Sequence, residues 1–155
     1  MKKKLLLGLT CLLSVFLLTG CFTKKEITTN EFKEKVSSLE YEIYDISDQY
    51  KEYDFIKEAT VAKNSDKNYQ IEFYVLETEK KAKSMFETNK ELFIQEHNSG
   101  TKMQVTTNML NYSTYKMIAN DDYMYLCRVK STLLYINVEK EYQKEVEELI
   151  KKIGY

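Results

Sequence analysis

Residues 103–138, MQVTTNMLNYSTYKMIANDDYMYLCRVKSTLLYINV, read as four short strands in succession. Met103–Thr107, Ser113–Ala119, Tyr123–Lys130 and Thr132–Val138 are rich in Val, Ile, Tyr and Thr, residues that suit a pleated, half-buried surface. Asn108–Asn111 and Asn120-Asp121-Asp122 separate them with turn chemistry, and Lys130-Ser131 makes the tightest connection. Links this short join antiparallel strands, because a parallel pair needs a crossover of a dozen or more residues. The C-terminal half is therefore expected to hold an antiparallel sheet.

Working outward, Ile56–Lys63 and Tyr69–Leu76 flank the turn-rich Asn64-Ser65-Asp66-Lys67-Asn68 and read as a hairpin. In the second strand Ile71, Phe73 and Val75 share one face, which is expected to be buried. Glu72 and Tyr74 share the other, expected to be partly wet. Tyr41–Ile46 alternates as a further strand, and Asp45–Asp54 reads as an acidic loop. Glu79–Gln95 carries Ala82, Met85, Phe86, Asn89 and Phe93 at helical spacing, with only Asn89 interrupting the apolar stripe. Thr28-Thr29-Asn30-Glu31 offers a capping box ahead of Phe32, Val36 and Leu39, a short amphipathic helix. Glu139–Lys152 closes the chain as a second long helix, with Tyr142, Val146, Leu149, Ile150 and Ile153 on one stripe and Gly154 as its stop. A hairpin feeding a helix thus occurs twice. The expected fold is α+β: an antiparallel sheet of about five to seven strands, two long helices packed on one face, and a short N-terminal helix.

The first 21 residues, MKKKLLLGLTCLLSVFLLTGC, have a different character. Lys2, Lys3 and Lys4 precede an apolar run, Leu5–Leu18, shorter than the roughly 20 residues a membrane-spanning helix needs. This is the pattern of a secretory signal. Leu18-Thr19-Gly20-Cys21 then resembles the lipobox of bacterial lipoproteins, with small residues at Thr19 and Gly20 that give a peptidase access to the following bond. That resemblance implies cleavage between Gly20 and Cys21, and a diacylglyceryl group on the Cys21 thiol. Two acyl chains give stable anchoring where one does not. Residues 1–20 are expected to be removed as the signal peptide, 21–28 to form the lipidated cysteine and a short tether, and 29–155 to form one domain. In size and layout residues 22–155 resemble small lipoproteins of Gram-positive bacteria, a likeness that carries no mechanism.

Loss of residues 1–20 removes three lysines and no acids, so the formal charge of −1 becomes −4. No basic surplus favours nucleic acid. Of the three cysteines, Cys11 leaves with the signal and Cys21 takes the lipid, leaving Cys127 without an intramolecular disulfide partner. Cys127 alternates with Tyr125 and Val129 and reads as a small buried hydrophobe. The single histidine, His97, reads as a solvated residue at a helix exit, with no second histidine for zinc. Asp45, Asp48, Glu52 and Asp54 lack the central Gly and terminal Glu of an EF-hand loop. The chain holds 13 Tyr and no Trp. Its tyrosines are either ordinary strand residues or a stacking surface.

No catalytic constellation, metal site or cofactor site is expected. The sequence supports a non-enzymatic lipoprotein on the extracytoplasmic side of the cell membrane, assisting a membrane-protein partner. The alternative is a module that binds a small ligand or cell-wall glycan through surface tyrosines.

Overall fold

The computed structural model describes residues 23–97 and 102–155. The expected signal peptide, Cys21 and the Asn98-Ser99-Gly100 helix exit lie outside the described residues. Strands β1 (Glu42–Asp45), β2 (Ile56–Asn64), β3 (Tyr69–Leu76), β4 (Lys102–Asn108), β5 (Tyr112–Ala119), β6 (Asp122–Val129) and β7 (Thr132–Glu139) form one antiparallel sheet. Their order is β1-β2-β3-β7-β6-β5-β4, so the two hairpin systems meet at β3 and β7 in the centre. Helices α1 (Thr29–Ser37), α2 (Glu79–Glu96) and α3 (Gln143–Ile153) complete an α+β fold.

The turns follow local chemistry. Asn68, Asn120 and Lys130 take positive φ at the hairpin corners, a conformation in which Asn is enriched and Lys less at home. Thr28 and Glu31 form the full reciprocal capping box of α1. Gly154 stops α3 at φ +94°, in the left-handed region where a Cβ is costly.

The helices do not share a face. Register places Phe73 opposite Leu134 and Leu134 opposite Cys127, and these join Ile71, Tyr123 and Ile136 beneath α1 and α3. On the reverse, Tyr74 lies opposite Leu133, and both join Met117, Met124 and Leu126 beneath α2. The expectation of two long helices on one face is therefore corrected. Both faces of the central strands are apolar, so each needs its own cover, and the result is a helix–sheet–helix sandwich. The expected partly wet face of β3 is found at one end only: Gln70 is exposed and Glu72 half-buried, whereas Tyr74 is buried, its hydroxyl bonding Glu72 and the Tyr50 hydroxyl.

The C-terminal helix is also shorter than expected. Glu139 stays extended because it pairs with Asp122, and a 3-10 turn at Lys140–Tyr142 follows before α3 begins. Only α2, with 18 residues, is long. Its Asn89 donates to the Met85 carbonyl at 2.8 Å, so the one polar residue in the stripe satisfies itself within the helix.

His97 departs from its expected solvated state. Its Nε2 lies 3.0 Å from Asp122 Oδ2, and its Nδ1 lies 3.1 Å from the Phe93 carbonyl, joining the end of α2 to β6. The Asp122 carboxylate holds the imidazole pKa above its ordinary value. A raised folded pKa contributes stability that is complete below the unfolded value of about 6.5 and is lost as pH rises through the folded value. Denaturant midpoints should therefore fall between slightly acidic and slightly alkaline buffer, and Asp122→Asn should flatten that slope.

Candidate functional site

The segment leading from Cys21 is not a free tether over its whole length. Ile27 is buried in the core beneath α1 and α3, where full burial of such a side chain is worth roughly 1.5–3 kcal/mol. Two polar clamps hold the residues before it. The Asn111 side chain accepts from the Lys24 amide at 3.1 Å and donates to the Lys24 carbonyl at 2.7 Å. Glu26 Oε1 accepts from the Ser131 amide at 2.8 Å and from its hydroxyl at 2.6 Å. The Lys24 ammonium lies 5.4 Å from the Tyr112 ring centroid, a cation–π arrangement.

These contacts tie three sequence-distant pieces into one end of the sheet. The β6–β7 turn bonds the β4–β5 turn through Lys130 N–H to the Asn111 carbonyl at 2.9 Å, and β3 through Leu76 N–H to the Ser131 carbonyl at 2.8 Å. Beneath them Arg128 is buried on the α2 face. Its Nη1 donates to Glu79 at the start of α2 and to the Lys130 carbonyl, and its Nη2 to Ser113. The turn is thus braced from inside and clasped from outside. Glu26→Ala should release the segment, because Ser131 then loses both bonds. Limited proteolysis should show faster cleavage between residues 23 and 28, with the rest of the domain intact.

Beside the clasp, the loop Met109-Leu110-Asn111 carries the most exposed large apolar side chain of the described residues, Leu110 at 85% exposure, next to Met109 at 38%. Lys130 is exposed, and Lys25 is exposed while paired with Glu31. The apolar tip and the lysines of the clasp share this end of the molecule.

The tyrosines divide differently from a stacking face. Tyr69, Tyr74, Tyr115 and Tyr123 are buried within the two cores. Tyr69 joins the Tyr41 hydroxyl and Glu145, and Lys67 pairs with the same carboxylate, an arrangement that braces α3 against β3. Burial and these partners push the Tyr69 hydroxyl pKa up, so it is neutral at physiological pH. The exposed aromatic material is elsewhere, at Tyr44 on β1 and in the Tyr50–Phe55 segment. Tyr50, Tyr53 and Phe55 line a groove of about 410 Å³ against Ile56, Lys81 and Met85, and Tyr53 is half exposed. The Lys81 ammonium lies 5.1 Å from the Phe55 ring centroid.

Other candidate chemistry is dispersed. Cys127 is fully buried, and burial pushes its thiol up to about 11, so it is an inert core residue. Asp45 bonds the amide and hydroxyl of Ser47 at the start of a 3-10 turn, and Asp48 pairs with Lys51. Among the described residues no three His, Cys, Asp or Glu side chains come together as metal ligands. No described helix is long and apolar enough to cross a membrane.

The sequence named Leu18, Thr19, Gly20 and Cys21 but missed the clasp. Lys24 meets Asn111 across 87 residues and Glu26 meets Ser131 across 105, so no local spacing could pair them.

Comparison with known proteins adds little. No family model matches the chain. No curated protein matches it either. A solved GTP-binding regulator from Thermotoga maritima aligns over 86% of this chain and 90% of its own, at 14% identity and a TM-score of 0.49. A likeness at that level assigns no function to this chain.

Proposed function

We propose that the chain is a non-enzymatic lipoprotein of the extracytoplasmic membrane surface, anchored by a diacylglyceryl group on Cys21, that binds or assists a membrane-protein partner. The observation that supports this best is the clasped segment Lys24–Ile27. Lys24 is held to Asn111, at the end of the sheet that also bears Leu110. From Lys24 to Cys21 is three residues, at most about 11 Å of extended chain. A lipid on Cys21 would hold the domain against the bilayer, within reach of proteins embedded there and of little else. Edge strand β4, with Met103 and Val105 exposed and one edge unpaired, offers such a partner backbone hydrogen bonds and apolar contact.

In-cell crosslinking of the native protein, read by mass spectrometry with Cys21→Ser as the unanchored control, tests this. One dominant membrane partner, absent from the control, supports the reading. Scattered neighbours alone would sink it.

A second reading has its own observation, the groove of Tyr50, Tyr53 and Phe55. Three rings around a cavity of this size suit a small ligand or a glycan. It predicts saturable binding of cell-wall fragments that Tyr53→Ala abolishes.

A further inference from the structure

We infer that the Met109–Leu110 loop is a second membrane contact: it inserts into the bilayer interface beside the lipid on Cys21 and sets which way the domain faces. The inference rests on the lipid-anchor reading proposed above and goes beyond it by naming the surface that meets the lipid.

Position carries the first part. The segment from Cys21 is held to the loop itself, since Asn111, the residue after Leu110, makes both hydrogen bonds to Lys24. An anchored Cys21 lies within three residues of that clamp, so the loop cannot move far from the bilayer surface without breaking it. A tether free to swivel would leave orientation open; a clasped one does not.

Chemistry carries the second part. Leu110 is almost wholly exposed, although the loop around it is ordered by the Met109 amide on the Tyr112 carbonyl at 2.9 Å. A hairpin tip normally favours Gly, Asn, Asp or Ser, and two adjacent large apolar residues there gain nothing from water. The backbones of Lys24 and Lys130 both bond Asn111, and an apolar tip with two lysines nearby fits an anionic lipid interface, where apolar atoms sink and ammonium groups stay with the headgroups. The chain without the signal carries a net charge of −4, so the rest of its surface would be repelled by the same lipid. The tip and its lysines therefore decide which end approaches.

The chain contains no tryptophan, so a single introduced one reports its own surroundings. Full-length Leu110→Trp, processed and purified from membranes, would be reconstituted into vesicles of phosphatidylglycerol and phosphatidylcholine, with dibrominated phosphatidylcholine as quencher. Ser65→Trp, in the β2–β3 turn at the opposite end of the sheet, is the comparison. Both sites are exposed loop positions. Blue-shifted emission and strong quenching at position 110, with neither at position 65, is expected. If the protein floats with the vesicles while position 110 stays unshifted and unquenched, the loop contact is wrong and the anchor stands. If neither variant floats with the vesicles, the anchor reading fails, and this inference with it.

Discussion

Cys21→Ser should move the protein from the membrane fraction to the soluble fraction almost completely. Two acyl chains bury many methylenes, each worth about 0.8 kcal/mol, so the anchor outweighs any surface contact by many kilocalories per mole. The Met109–Leu110 loop alone buries far less, and the net charge of the domain opposes an anionic surface. Fractionation of cells expressing each form, read by immunoblot, measures this. Substantial retention of the serine variant on membranes would show that protein contacts or the uncleaved apolar segment hold the chain instead.

The second large effect concerns the two-sided core. Phe73 is buried beneath α1 and α3, stacked on Phe32 with ring centroids 4.7 Å apart. Phe86, on α2 itself, is buried against the reverse face of the sheet. Each Phe→Ala change should cost about 3–5 kcal/mol. Since small domains hold only about 5–15 kcal/mol in total, either change should bring the domain close to unfolding at growth temperature. Urea denaturation of the two variants would show comparable losses. A large loss for Phe73 and almost none for Phe86 would mean that α2 is not a true cover for its face. The Phe32–Phe73 pair should also couple by about 0.5–1.5 kcal/mol beyond their separate burial.

Much of the fold was legible because its elements carry their own signals. The capping box at Thr28–Glu31, the asparagines at the hairpin corners and Gly154 after Ile153 act within a few residues, and β-forming runs between turn residues marked the strands. The layering was not legible. Tyr74, Met124 and Leu133 are apolar enough to be buried yet alternate with residues equally apolar, so the pattern could not say whether one face or both were covered. That decision belongs to register between distant strands, and to the short links after β3 and β7 that carry α2 and α3 to opposite sides. His97 was misread for a similar reason: its partner Asp122 lies 25 residues away, in what sequence alone showed as a turn.

The candidate site was legible only at its covalent end. The lipobox is a contiguous word, whereas the clasp is assembled from Lys24, Glu26, Asn111 and Ser131, none of which stands out in its own neighbourhood. Met109-Leu110 could have been singled out, as an apolar pair in a turn between Asn108 and Asn111. The tyrosine count left strand residues and a stacking surface both open, and most of those rings fill the cores or brace α3. Among the described residues Tyr44 on β1 and Tyr53 in the Tyr50–Phe55 segment are the rings that face outward.

The chemistry of the mature N-terminus tests the anchor most directly. Intact-mass and peptide analysis of the protein extracted from membranes should find a chain that begins at Cys21 and carries a diacylglyceryl group on its thiol. A chain that begins elsewhere, or a Cys21 with an unmodified thiol, would contradict the anchored lipoprotein and remove the basis for the bilayer-facing end.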